Sequence, residues 1–86
     1  MGVEPGESIQ AFADEMQLVM SKHDEDKGES WMDCPAKYLL DGLDTEIEEL
    51  AKARGNLNIA NVREELVDIA NYCMMLWNRL DDGRGA

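Results

Sequence analysis

Val62-Arg63-Glu64-Glu65-Leu66-Val67-Asp68-Ile69-Ala70-Asn71-Tyr72-Cys73-Met74-Met75-Leu76-Trp77-Asn78-Arg79-Leu80 is the stretch from which the fold can be read. Val62, Leu66, Ile69, Cys73, Leu76 and Leu80 recur alternately four and three residues apart, a spacing that keeps one side of an α-helix apolar. A helix over about 59–81 follows, starting near Asn58 or Asn61. Val67, Ala70, Met74, Met75 and Trp77 fall off this seam, so the helix has a second apolar face. A second buried face calls for another helix from another subunit.

The segment before it has the same character. Ala36, Leu39, Leu40, Leu43, Ile47, Leu50 and Ala51 form one stripe, predicting a helix over 34–54. Asp33 is expected to cap its start, Pro35 suits the first turn, and Gly55 is the expected stop after Lys52 and Arg54. Ile9, Phe12, Ala13, Met16, Val19 and Met20 predict a first helix over about 5–23. Residues 24–33 are polar and contain Gly28 and Ser30, so they read as a loop, although one that holds Trp31 and Met32. Residues 82–86 read as a frayed tail. Strict alternation is absent and β-branched residues are few, which excludes a sheet. The expectation is an all-α, three-helix single domain that completes a four-helix-type bundle by oligomerising as a homodimer or homotetramer.

Size and charge support that expectation. A chain of 86 residues buries only roughly 60% of its unfolded surface and is marginal by itself. Nineteen Asp and Glu against eight Lys and Arg leave a net charge of -11, which repels nucleic-acid polymers and anionic membranes. Cys34 and Cys73 are far apart, lack C-x-x-C spacing, and read as reduced thiols of a cytoplasmic protein. Residues 1–8 have acids where a signal sequence has a basic region, and no apolar run is long enough to span a membrane.

The chemistry concentrates in two acidic pairs. Glu46 and Glu49 stand three residues apart, and Glu65 and Asp68 repeat that spacing on the next helix, each pair on one helix face beside the apolar stripe. Antiparallel packing of the two helices would make the four carboxylates converge, at a Coulombic cost that a cation must offset. An all-oxygen donor set selects a hard ion, Mg²⁺ or Mn²⁺. Di-iron chemistry is excluded because it needs Glu-x-x-His pairs, and the one histidine, His23, has no such partner. The competing interpretation is a pair of solvated acidic faces on a soluble helical protein.

Glu46-Ile47-Glu48-Glu49-Leu50-Ala51-Lys52-Ala53 together with Arg63-Glu64-Glu65-Leu66-Val67-Asp68-Ile69-Ala70-Asn71-Tyr72 resembles the E-x-x-E and E-x-x-D motifs of MazG-type nucleotide pyrophosphohydrolases. The Lys27-Gly28 and Trp31 loop is similar to a feature of several members, and the resemblance spans about residues 9–80. It implies an all-α oligomer that cleaves nucleoside triphosphates between the α and β phosphorus atoms with Mg²⁺, yielding a monophosphate and pyrophosphate. By position, Glu46, Glu49, Glu65 and Asp68 would be the metal ligands. Val67 departs from the small residue common before the motif Asp, and many relatives carry a further helix after the third.

A carboxylate not fully committed to metal would take the proton of the attacking water, and Glu46 and Glu49 are the candidates. Lys27 and Lys52 are the cations nearest the motifs for a phosphate, and Asn71, one turn past Asp68, is a candidate for sugar or phosphate. Trp31 and His23 are the candidates for holding a base, whereas Tyr72 and Trp77 read as core or subunit-interface residues. Two alternatives stand beside this function: a phosphoribosyl-ATP pyrophosphohydrolase, and a non-catalytic acidic helical interaction module.

Overall fold

The computed structural model describes the backbone of residues 4–27, 32 and 34–81, and the side chains of 4–22, 32 and 34–80. Its elements are α1 (Pro5–Lys27), α2 (Ala36–Gly55) and α3 (Ile59–Asp81), and no strand occurs among the described residues. The all-helical, three-helix reading therefore holds, with adjusted ends. Helix α1 runs one turn past the expected 23, so residues 24–27 are helical and not loop. The remainder of the expected loop other than Met32, and the expected tail at 82–86, lie outside the described residues.

Helix α2 begins at Ala36 instead of 34. Pro35 is its N-cap, with an extended backbone and no side-chain capping bond; its carbonyl accepts from the Tyr38 amide at 3.0 Å. Asp33, the expected cap, lies outside the described residues. At the other end Gly55 stays helical, and the residue that turns left-handed is Leu57, with φ 56°. The Leu57 amide donates to the Arg54 carbonyl at 3.1 Å and the Asn58 amide to the Ala53 carbonyl at 3.1 Å, the double closure of a Schellman turn. The next helix starts one residue later: Asn58 Oδ1 accepts from the Asn61 amide at 3.1 Å and caps α3.

Helix α3 packs most extensively on α2 and to a lesser extent on α1. Position 42 of α2 meets position 72 of α3, and 46 meets 65, so one helix ascends as the other descends. The core consists of Ala36, Leu39, Met75 and Leu76, with Met20, Cys34, Leu43, Tyr72 and Met74 packed around it. Two polar side chains tie the helices at depth. Asn71 is buried and its Nδ2 donates to the Met16 carbonyl of α1 at 3.3 Å. Buried Arg79 donates from Nη1 to the Cys34 carbonyl, just before α2.

The expected α3 seam is split by this packing. Leu76 is buried and Val62 and Ile69 are half-buried, but Leu66, Cys73 and Leu80 face solvent. The covered positions are instead Val67, Asn71, Met75 and Arg79, four residues apart on the opposite side. Helix α1 likewise covers only its second half: Met16, Val19 and Met20 are half-buried, while Ile9 and Phe12 are exposed. Periodicity marks which sides are apolar, not which one a partner within the chain will cover.

The turn after α2 yields a prediction. Leu57 is 83% exposed, so its side chain contributes little burial, while a left-handed backbone costs a residue with a Cβ about 1–2 kcal/mol. Leu57→Gly should therefore raise unfolding stability by roughly 0.5–1 kcal/mol once the extra freedom of glycine in the unfolded chain is subtracted. Urea denaturation checks this; a lower midpoint would show that Leu57 is held by a contact the left-handed turn serves.

Candidate metal centre

Helices α2 and α3 bring carboxylates together where their motifs cross. Glu46, Glu49 and Glu65 each present a carboxylate oxygen within 4.8 Å of the other two. Glu46 and Glu65 are half-buried and Glu49 is exposed at the rim. Asp68 lies one turn beyond Glu65, half-buried, and stays outside that trio although its charge acts on Glu46. Three of the four expected ligands are thus drawn into one group, with the fourth beside them.

The electrostatics follow from this crowding. Burial first, then a hydrogen bond to Glu65 and the negative charges of Glu65, Asp68 and Glu49, push the Glu46 carboxyl up to about 8. At neutral pH a cation-free Glu46 retains its proton and donates it to the Glu65 carboxylate. Glu65 Oε2 is buried and has no hydrogen-bond partner. A half-buried acid group that holds a proton above neutrality, with an unsatisfied carboxylate oxygen beside it, is short of positive charge. Oxygen donors alone, at this spacing, fit a small hard cation.

The floor of the site is made by a residue that sequence reasoning assigned to the core. Tyr72 lies against Gly42: a Cβ at position 42 would come 2.5 Å from the ring and 2.6 Å from the hydroxyl oxygen. The ring fits on α2 only because residue 42 is glycine. Gly42 is four residues before Glu46 and Tyr72 four after Asp68, so this contact lies one turn from both acidic motifs. The Tyr72 hydroxyl is held above its ordinary range by burial, then by the charges of Glu46, Asp68 and Cys34. The available signal was a glycine inside a strong helical stripe, which points to close approach of another group.

The expected substrate residues are divided. Lys52 is exposed on the last turn of α2 and makes no ion pair with the trio; the ion pair found among the described residues joins Lys37 and Asp41 at 3.1 Å. Asn71, expected to meet sugar or phosphate, is instead buried in the contact with α1 and engaged by Met16, which removes it from any open face of the site. The side chains of His23 and Lys27, and the whole of Trp31, lie outside the described residues.

The solved structures contain a clear counterpart. The crystal structure of a predicted coding region from Archaeoglobus fulgidus superposes with a TM-score of 0.85 and 30% identity, covering 92% of this chain and 98% of that one. The chain belongs to the family of that archaeal protein. An uncharacterized protein of the same organism is 42% identical over 50 residues, which are 58% of this chain and 54% of that protein. The chain thus spans about half the length of that relative. No family model matches the chain. Neither relative's description states an activity.

The raised Glu46 carboxyl sets a pH dependence whose sign is determined. The folded chain retains a proton that the unfolded chain, where the carboxyl has its ordinary value of 4.5, has already lost, so stability falls as pH rises from about 4.5 through about 8. In chelator, thermal unfolding should occur at progressively lower temperature between pH 5 and 8, with a shallower decline in Glu46→Gln, and added Mn²⁺ should restore the loss at the upper end. Identical slopes in both proteins would remove Glu46 as the responsible group. Gly42→Ala should lower stability despite its better helix propensity, by about 1–3 kcal/mol, because the Tyr72 ring must move.

Proposed function

We propose that the chain is a divalent-cation-dependent nucleotide pyrophosphohydrolase that cleaves a (deoxy)nucleoside triphosphate between its α and β phosphorus atoms, releasing the monophosphate and pyrophosphate. The observation that carries the reading is the convergence of Glu46, Glu49 and Glu65 within 4.8 Å, with Asp68 adjacent. These are the residues whose E-x-x-E and E-x-x-D spacing resembles the MazG-type enzymes.

Glu46, Glu49, Glu65 and Asp68 would hold Mg²⁺ or Mn²⁺. The ion, when bound, supplies neutralisation of phosphate charge and polarisation of the phosphorus–oxygen bonds. The residues of the chain do the rest. Glu46, which holds its proton up to about pH 8, would be needed there as a carboxylate, and Glu65 offers a buried oxygen without a hydrogen-bond partner. Glu49 is assigned the proton of the attacking water, because it is the exposed member of the trio and Glu46 is already engaged by Glu65. Tyr72, wedged on Gly42, fixes the spacing of α2 and α3 so that the acids are positioned before substrate arrives. Lys52, one turn from Glu49, would be a cation for the phosphate chain, with Lys27, His23 and Trp31 as further substrate residues.

The site lies on one side of a chain whose outer faces remain apolar, so the working enzyme is proposed to be a homodimer or homotetramer that completes a helical bundle. No described helix is long and apolar enough to cross a membrane, and Cys73 is a free thiol. A cytoplasmic location fits these features.

Pyrophosphate release, measured across canonical and modified nucleoside triphosphates and phosphoribosyl-ATP with Mg²⁺, tests the reading. At least one nucleotide should be cleaved, with activity abolished by chelator and reduced at least ~100-fold in Glu49→Gln. Preference for phosphoribosyl-ATP would move the substrate to the alternative reading. No release from any nucleotide, or equal rates in wild type and variant, would refute the assignment.

A further inference from the structure

The outer face of α3 is built to receive a second copy of itself. Opposite the covered positions runs Ile59, Arg63, Leu66, Ala70, Cys73, Trp77 and Leu80, spaced alternately four and three apart. In the protomer these are open: Trp77 is 69% exposed, Ile59 66%, Leu80 54% and Leu66 44%. Arg63 and Cys73 are exposed and Ala70 half-buried. An isolated surface helix would be polar here.

The order of these residues reads equivalently in both directions about Ala70. Ile59 and Leu80 are equally distant from a point just before Ala70, as are Leu66 and Cys73, while Arg63 and Trp77 are equidistant from Ala70 itself. A two-fold axis has that requirement: the same patch on both subunits, run antiparallel, must match itself. We propose that the α3 helices of two copies pair antiparallel about Ala70. Ile59 is then level with Leu80 of the partner subunit, Leu66 with Cys73 of the partner subunit, and Arg63 with Trp77 of the partner subunit, with the small Ala70 side chains at the axis.

Charge favours the same occupant. In a chain of net charge -11, this stripe contains no carboxylate and one cation, so self-pairing opposes no acids and places a guanidinium at the level of an indole. No large side chain among the described residues is fully buried, as expected of a protomer whose core is completed by association.

The inference deepens the proposed oligomer but is independent of the chemistry, since its test reads no activity. Sedimentation of the full chain should show dimers, or tetramers built from them, and Trp77→Glu should weaken association at least ~100-fold while circular dichroism stays helical, because Trp77 is exposed in the protomer. Leu18→Glu, on the exposed side of α1, should leave association unchanged. Leu66→Cys in a Cys34→Ser background should cross-link to Cys73 of the partner subunit with a short bis-maleimide, and the Cys34→Ser protein without that change should cross-link far less. A monomer at all concentrations, tight association of Trp77→Glu, or absence of the Leu66→Cys cross-link would each overturn the pairing.

Discussion

Like charges do not collect between packed helices unless the packing forces them there, and in this chain it does. Helices α2 and α3 share the apolar core of Leu39, Met75 and Leu76, and the Gly42–Tyr72 contact sets how closely they lie. Once that register is fixed, Glu46 and Glu49 must meet Glu65. The proton held by Glu46 and the unsatisfied Glu65 oxygen are the electrostatic response of these side chains to that compulsion. Binding energy from a cation would flow back into the fold through the same register, because a group that binds only the assembled site stabilises the assembly.

Helices were legible because their signal is a period, and periods survive without knowledge of neighbours. The ends were less so. Gly55 looked like the stop to α2, yet the left-handed residue is Leu57, since the Schellman closure is selected by where the carbonyls of Ala53 and Arg54 find donors. The seam on α3 is apolar as read, but within the chain it is unevenly covered: Leu76 is buried while Leu66, Cys73 and Leu80 are exposed. A sequence shows how many sides are apolar but not which is covered by α1 and α2 and which stays exposed in the chain.

The candidate site was legible through spacing and less so through identity of its supports. Two pairs at i and i+3 suffice to place acids on helix faces, and three of them converge. Asn71 shares a face with Asp68 in the simple helical projection, but the helix is turned so that Asn71 meets the Met16 carbonyl. Tyr72 seemed a core residue and is also the spacer beneath the acids; its partner Gly42 carried the clue, a residue without a side chain where a helix former would otherwise be favoured. His23, Lys27 and Trp31 depend on tertiary placement that spacing along the chain does not encode.

The central claim is that the carboxylate crossing is a cation site. Electron paramagnetic resonance of Mn²⁺ titrated into the chelator-stripped protein near pH 7.5 measures it without reference to any substrate. The account predicts saturable binding at the crossing, competed by Mg²⁺ and weakened at least tenfold in Glu65→Gln. Free-ion signal at every ratio, or equal affinity in wild type and variant, would contradict it.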